Sequence, residues 1–233
     1  RDASALALCC AQLHEAAGDT RAAQRAYERA LAADPRCRMA LFHLEMPSVR
    51  APASSESAAL TESIAEYFAG DARAHAAFLT RAGEILAEIG DVPGAIARYV
   101  HASELRADYV PALRAWRQLA LRQEDWPAVI EVAAREAHAS RYDETKAGLH
   151  LLAAGAAMDH LDDRAVAVEH LDRVLQLDPL NAEGFARLVA LLEQERRFEE
   201  LAEVLKRRIA ATRDPAAVVE LEHTLVVLLR EHL

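Results

Sequence analysis

The sequence predicts an all-α protein built from helical hairpins that stack side by side, and two observations lead to that prediction. The first is composition: the 233 residues are 52% hydrophobic but only 5% aromatic, with 8 Gly and 8 Pro. Ala and Leu dominate the apolar residues and have high helix propensities, whereas Gly and Pro interrupt helices. The second observation is a motif that recurs at fixed spacing, which is the sequence signature of a repeat protein.

The recurring motif starts at residues 18, 90 and 162, so that successive copies lie 72 positions apart. Each copy begins with a turn residue and has Ala five positions later, a bulky residue four positions after that, and a small or β-branched residue three positions further on. An amphipathic run precedes each copy and forms the first helix of a predicted hairpin. The runs are Ser4–Ala17, Ala72–Ile89 and Ala147–His160, and the copies are Gly18–Pro35, Gly90–Ala107 and Asp162–Pro179.

Single residue types predict where the second helix of each hairpin begins and ends. An Asp at its start is expected to cap it by accepting a backbone N–H bond, at Asp19, Asp91 and Asp163. Pro35 and Pro179 end it in two copies, because Pro cannot continue the hydrogen-bond ladder. Small residues in both helices are predicted to let them approach closely, in the pairs Ala11 with Ala23, Gly83 with Ala95, and Gly155 with Ala167.

This pattern resembles the tetratricopeptide repeat (TPR) family, whose unit of about 34 residues pairs a helix A with a helix B. The resemblance implies a single right-handed α-solenoid over residues 1–233, with about six units and a terminal helix. Pro47 and Pro52 interrupt the second unit and predict a loop at 46–55, which is either an adjustable loop at the groove or a tolerated insertion. In the fourth unit, Trp116 is expected in the core and a polar connection is expected over 138–147.

The two ends of the chain carry further expectations. The sequence starts at Arg1 without Met, so we expect it to be a piece of a longer, bacterial-type protein. The last run, Ala216–Leu233, is apolar on more than one side, whereas a terminal repeat would need a polar outer face. The native chain therefore either continues beyond this run or uses it for self-association with another copy.

Charge and cysteine usage exclude several classes of protein. The formal net charge of -10 argues against non-specific nucleic-acid binding, which needs a surplus of Lys and Arg to neutralise phosphates. No apolar run is long enough to predict membrane insertion. The three Cys residues match neither a disulfide framework nor a zinc site, which favours a reducing compartment, and we expect a cytoplasmic location.

The search for catalytic chemistry gives no candidate. Nucleophile elbows, zinc-protease motifs, phosphate-binding loops and dinucleotide fingerprints do not occur in the sequence. His160 and His170 lie near several Asp residues, but side chains from the end of one helix and the middle of the next are not expected to converge on a metal ion. The sequence thus predicts no enzyme, no metal site and no cofactor.

The resemblance to TPR proteins implies where a partner would bind, because helix A of each unit lines the concave face in that family. Arginines there could meet a carboxylate of the partner through their guanidinium forks, or could pair with Glu84, Glu183 or Glu193 across adjacent helices. The chaperone-binding Lys/Asn clamp of some family members is not present. The residues carried over onto the concave face are Phe42, His43, Arg81, Glu84, Arg114, Gln118, Arg122, His160 and Arg187.

Two functional interpretations follow from these patterns. In the first, the chain is a non-catalytic scaffold that binds a peptide or protein segment of unknown identity in its concave groove. In the second, it is a regulatory domain of a larger multidomain enzyme or signalling protein, or a module for homo-oligomerisation. The sequence of the surrounding reading frame would decide whether the chain belongs to a larger enzyme, and sedimentation would test homo-oligomerisation.

Overall fold

The structure is a computed structural model that describes residues 2–34, 37, 39, 40, 43, 44 and 53–232. Every regular element within these residues is helical, which confirms the predicted all-α class. The helices whose bounds the structure describes are α1 (Asp2–Ala16), α2 (Thr20–Ala33), α3 (Ser55–Tyr67), α4 (Ala72–Glu88), α5 (Val92–Leu105), α6 (Val110–Arg122), α7 (Trp126–Ala139), α8 (Asp143–His160), α9 (Arg164–Leu177), α10 (Ala182–Gln194), α11 (Phe198–Ala211) and α12 (Pro215–His232). None of the described helices is long and apolar enough to cross a lipid bilayer.

Contacts divide the chain into two compact units, residues 1–119 and residues 120–233. Unit 1 contains α1 to α5 and most of α6, and unit 2 contains the end of α6 and α7 to α12. The single right-handed solenoid stays a prediction. Most of the predicted loop at 46–55 lies outside the described residues; Ala53 and Ser54 precede α3, and Ser55 is already helical.

Hairpins in unit 1 have the predicted antiparallel form. Near the start of α1, the Ser4 hydroxyl donates to the Ala30 carbonyl near the end of α2, at 3.0 Å. At the other end of the hairpin, the Tyr27 hydroxyl donates to the Glu15 carboxylate at 2.7 Å. Helices α4 and α5 pack in the same way across a short turn, so the sequence pattern correctly predicted these pairs.

Small residues allow close helix packing at the predicted places in unit 1. Ala11 and Ala23 are buried in one apolar cluster. A Cβ atom added to Gly83 of α4 would lie 3.1 Å from the Ala95 carbonyl oxygen and 2.6 Å from Cε1 of Tyr99, both in α5. Because that space is already filled by α5, only Gly fits at residue 83 without a shift of its neighbours. The prediction for these two pairs is confirmed.

Asp residues cap the second helices as predicted. Each carboxylate accepts a bond from the backbone N–H three residues later, as the N-cap geometry requires. The O···N distances are 3.0 Å for Asp19, 3.0 Å for Asp91, 3.2 Å for Asp125 and 3.1 Å for Asp163.

The third predicted pair, Gly155 with Ala167, is wrong by one residue. A Cβ atom at Gly155 would meet Arg187 and Asp159 at 3.4 and 3.8 Å, and nothing from α9 within 4 Å. Instead, Ala154 is fully buried in the same apolar cluster as Ala167. The turn explains the shift: the Asp163 N–H donates to the Ala157 carbonyl six residues back.

The equivalent turn in unit 1 is shorter by one residue. There, the Asp91 N–H donates to the Leu86 carbonyl, only five residues back, and the Asp19 N–H donates to the His14 carbonyl with the same spacing. An extra residue in the α8–α9 turn moves every residue of α8 by one position relative to α9. Ala154 therefore takes the place that the 72-residue spacing assigned to Gly155.

The predicted long connection over 138–147 is also wrong, because α7 ends at Ala139 and α8 begins at Asp143. Asp143 and Glu144 occupy the first turn of α8, where acidic side chains complement the helix dipole, so these polar residues are helical. By contrast, Trp116 is 7% exposed, which confirms its predicted core position.

Candidate protein-binding surface

His43, one of the predicted binding residues, lines a small pocket. Its ring stacks on the Tyr27 ring, with centroids 4.7 Å apart and planes 9° apart. The His43 Nδ1 lies 3.3 Å from the same Glu15 carboxylate that accepts the Tyr27 hydroxyl bond. The pocket has a volume of about 140 Å³ and is lined also by Thr20, Ala23, Gln24, Leu44 and Leu60. Phe42, the predicted neighbour of His43, lies outside the described residues.

Burial and the carboxylate together control the chemistry of this pocket. Burial of the Tyr27 phenol, reinforced by its hydrogen bond to Glu15, raises the pKa of Tyr27 well above its ordinary value. Tyr27 therefore stays a neutral hydrogen-bond donor, and it fixes the Glu15 carboxylate beside His43. The arrangement can present the edge of an imidazole ring to a partner.

Arg81 and Arg187 are already engaged with carboxylates of their own helices. Arg81 Nη1 lies 3.0 Å from the Glu84 carboxylate on α4, and Arg187 Nη2 lies 2.8 Å from the Glu183 carboxylate on α10. Both arginines therefore pair within the chain, but with a Glu of their own helix and not across adjacent helices, which is the alternative that the sequence left open. Exposed pairs of this kind are worth only about 0.2–1 kcal/mol, so a partner's carboxylate could replace Glu84 or Glu183 at small cost.

Arg187 also shows that two neighbouring A helices lie side by side in unit 2. Its guanidinium reaches from α10 to the site above Gly155 of α8, where a Cβ atom would lie 3.4 Å from Arg187 Nη1. Asp159, one turn further along α8, borders the same space. Gly155 thus leaves room for Arg187 between the helices. Sequence reasoning had attributed Gly155 to packing within its own hairpin and missed this role.

The other described residues of the predicted set lie on two different helices. Arg114 and Gln118 are exposed four residues apart on α6, and Arg122 is exposed in the last turn of that helix. His160, at the end of α8, stacks on Trp126, at the start of α7, with ring centroids 3.5 Å apart and planes 3° apart. The described residues of the predicted set therefore lie on several local surfaces, and His43 among them lines the small pocket.

A histidine pair inside the α8–α9 hairpin was missed by sequence reasoning. The Nδ1 atoms of His150 and His170 lie 2.9 Å apart, so one ring donates a hydrogen bond and the other accepts it. Burial, and then the neighbouring His170 and Arg173, lower the pKa of His150 to about 4. Burial also lowers the pKa of His170. Both residues lie on the inner faces of their helices, which is the signal that could have revealed the pair.

Metal ligation has no basis in the part of the chain that the structure describes. No group of three or more His, Cys, Asp or Glu side chains is arranged there to hold a metal ion. His170, which the sequence placed near a possible ligand cluster with His160, instead bonds His150. The chemistry of these surfaces is therefore hydrogen bonding, ion pairing and apolar contact.

Comparisons with known proteins give structural matches only. No protein-family model matches the chain, and no curated protein matches it. A MamA RS-1 ArsTM double mutant is 18% identical, with a TM-score of 0.45, 82% of this chain covered and 96% of that chain covered. Pseudomonas aeruginosa PilF is 16% identical, with a TM-score of 0.39 and coverage of 96% and 98%. The TPR2AB-domain:pHSP90 complex of yeast Sti1 is 12% identical, with a TM-score of 0.35 and coverage of 97% and 98%.

Proposed function

We propose that this chain is a non-catalytic scaffold that binds a peptide or protein segment along its A helices. The observation that carries the proposal is Arg187, a half-exposed guanidinium held between α8 and α10 above Gly155. Its intrahelical partner Glu183 is exposed, so the ion pair can exchange for a partner's carboxylate at small cost. A guanidinium group donates two parallel hydrogen bonds to a carboxylate. Such a pair both attracts the partner and fixes its orientation.

Unit 1 has a candidate surface of its own, at Arg81 and His43. Arg81 repeats the arrangement of Arg187, because it lies on an A helix and pairs with an acidic residue of the same helix. His43 is held by Tyr27 and Glu15 and remains one-quarter exposed. We propose that the partner is a protein segment with at least one acidic side chain or a free C-terminal carboxylate. The assembly would then resemble that of the Sti1 structure in using a helical-repeat surface for another protein.

Selection from a random peptide library displayed with free C termini tests this proposal. The full chain should select peptides that are enriched in Asp, Glu or a defined C-terminal residue. Arg187→Gln should weaken the binding of a selected peptide by about fivefold or more, as measured by fluorescence anisotropy. Arg213→Gln removes an exposed guanidinium outside the A-helix surface and should change affinity less than about twofold. Equal weakening by both substitutions would contradict the proposal.

Self-association through α12 is a second candidate function, and the exposure of that helix favours it. Leu221, Leu225 and Leu228 pack against the core of unit 2. On the remaining surface of α12, three further apolar residues stay exposed: Val219 at 63%, Val226 at 60% and Leu229 at 42%. Covering such a stripe would remove apolar area from water, which drives association between copies.

Sedimentation velocity over a concentration series tests self-association. The wild-type chain should show a concentration-dependent dimer, and Val226→Glu should keep it monomeric without disturbing the core. Leu13→Glu introduces the same change at an apolar residue of α1 that is 71% exposed, and it should leave the dimer intact. A wild-type chain that stays monomeric at the highest concentration would rule out this function for α12.

A further inference from the structure

A groove between two B helices of unit 2 lies apart from the A-helix surface described above. It has a volume of about 440 Å³, which is within the range of about 300–1,000 Å³ in which proteins hold ligands. Its walls come from α9 and α11, and the end of α10 closes the floor between them. The residues that line it are Ala165, Val168, Glu169, Asp172, Leu188, Leu192, Arg197, Glu199, Glu200, Glu203, Val204 and Arg207.

The floor and the rim of this groove have opposite character. The floor consists of apolar side chains at the edge of the core, among them Val168, Leu188 and Val204. The rim carries five carboxylates and only two guanidinium groups, a net charge of -3. An apolar floor with an acidic rim suits a side chain that is aliphatic along its length and positively charged at its tip.

Ion pairs within the chain leave two of the five carboxylates available. Asp172 pairs with Arg207, Glu200 pairs with Arg197, and Glu203 pairs with Lys206. Glu169 on α9 and Glu199 on α11 are exposed and have no ion-pair partner among the described residues. These two carboxylates stand on opposite walls of the groove, so a cation placed between them would be attracted from both sides.

We propose that this groove binds a basic amphipathic segment of another protein, in which Lys or Arg alternates with apolar residues. The apolar side chains and the methylene stems of the basic residues lie on the floor formed by Val168, Leu188 and Val204. The charged tips reach Glu169 and Glu199 at the rim. The net charge of -10 on the whole chain would also attract such a segment at long range.

Fluorescence anisotropy with two labelled peptides tests the proposal on the full chain. The first is an Arg-Leu repeat peptide, and the second is an Arg-Gly repeat peptide of the same length and charge. The Arg-Leu peptide should bind more tightly, because only its Leu side chains can use the apolar floor. The double substitution Glu169→Gln with Glu199→Gln should weaken its binding by about tenfold, since two ion pairs are lost.

A matched double variant separates the groove from general attraction to an acidic protein. Glu220→Gln with Glu222→Gln removes the same charge from exposed residues of α12 and should weaken binding by less than about twofold. The thermal melt of each variant shows whether it remains folded. Equal weakening by the two double variants, equal affinity for the two peptides, or no binding to the wild-type chain would each overturn the proposal.

Discussion

The hairpins α4–α5 and α8–α9 carry the same motif 72 residues apart, but they bring their helices together through different residues. In α4–α5 the close contact lies at Gly83, where Tyr99 and the Ala95 carbonyl of α5 occupy the space that a side chain at residue 83 would need. In α8–α9 the turn has one more residue, and Ala154 takes the equivalent place. The comparison shows that spacing along the sequence predicts which helices pair, whereas the turn determines which residues meet.

The turns themselves differ in the residue that adopts a left-handed backbone. Gly90 does so in the α4–α5 turn with φ of 88°, and Asp162 does so in the α8–α9 turn with φ of 50°. Gly adopts this conformation without steric cost, and Asp is one of the few other residues that tolerate it. The same structural position can therefore be filled from two residue types, although the hydrogen bonds around it are different.

The largest expected difference between the hairpins comes from adding one methyl group to each Gly. Gly83→Ala should lower the free energy of unfolding by about 1–3 kcal/mol, because Tyr99 and the Ala95 carbonyl must move. Gly155→Ala should raise it by up to about 1 kcal/mol, because the new Cβ makes ordinary contacts and Ala favours a helix. Urea unfolding followed by circular dichroism measures both. Two changes of the same sign would refute this account of the contacts.

The N-terminal caps of α5 and α9 should contribute equally to the free energy of unfolding, although the turns that carry them differ in length. Asp91→Ala and Asp163→Ala each remove a carboxylate that accepts a bond from the first turn of the following helix. Each substitution should lower the free energy of unfolding by about 1 kcal/mol. Asp→Asn at the same residues serves as the control, since the Asn side chain also accepts this bond. If only one of the two Ala substitutions lowered the free energy of unfolding, the two Asp caps would not be equivalent.

The His150–His170 pair should make the α8–α9 hairpin sensitive to acid, and this effect near neutral pH is the smallest of those expected. With the one-residue shift of α8, the residues of α4–α5 that correspond to His150 and His170 are Leu79 and Arg98. The two histidines that meet in that hairpin, His75 and His101, contact each other edge-on, with ring centroids 5.6 Å apart. The folded state lowers the pKa of His150 to about 4, below the ordinary value of 6.5, so it favours the neutral ring. The stability that this preference for neutral His150 gives the folded state is present above about pH 6.5 and is lost as the pH falls toward 4.

Replacing one ring tests this pH dependence. Arg173 disfavours protonation of His150 and Glu169 favours it, and both remain in place in His150→Gln. The urea midpoint of the wild type should fall between about pH 7 and pH 5, and that fall should be smaller in His150→Gln. His223→Gln, at an exposed residue of α12, should behave as the wild type does. Identical pH profiles for all three proteins would exclude the His150–His170 pair as the origin.

Much of the helical architecture could be predicted from the sequence because it depends on local chemistry. Ala and Leu periodicity predicts the helices, and an Asp at each turn predicts the start of the next one, as Asp91 and Asp163 show. The turn between α8 and α9 could not be predicted in the same way. Its extra residue depends on which carbonyl the Asp163 N–H reaches, and a fixed 72-residue spacing carries no information about that choice.

The binding surface was less predictable than the fold, because exposed side chains depend on contacts across helices. Assigning Arg187 to a helix face was possible, but its position above Gly155 required knowledge of how α8 and α10 lie together. Similarly, nothing in the sequence around Glu199 and Glu200 indicates a groove, because an acidic run is typical of a solvated helix end. The structure places Glu199 and Glu200 at the rim of a groove whose opposite wall comes from α9.

The register of α8 against α9 is tested most directly by placing the same bulky side chain at each of two adjacent residues. Ala154→Leu adds volume inside the buried cluster that contains Ala167, and we expect it to lower the free energy of unfolding by about 3 kcal/mol. Gly155→Leu adds the side chain beside the half-exposed Arg187, and we expect a change of less than about 1 kcal/mol. Urea unfolding gives both values. A larger loss for Gly155→Leu than for Ala154→Leu would contradict the one-residue shift.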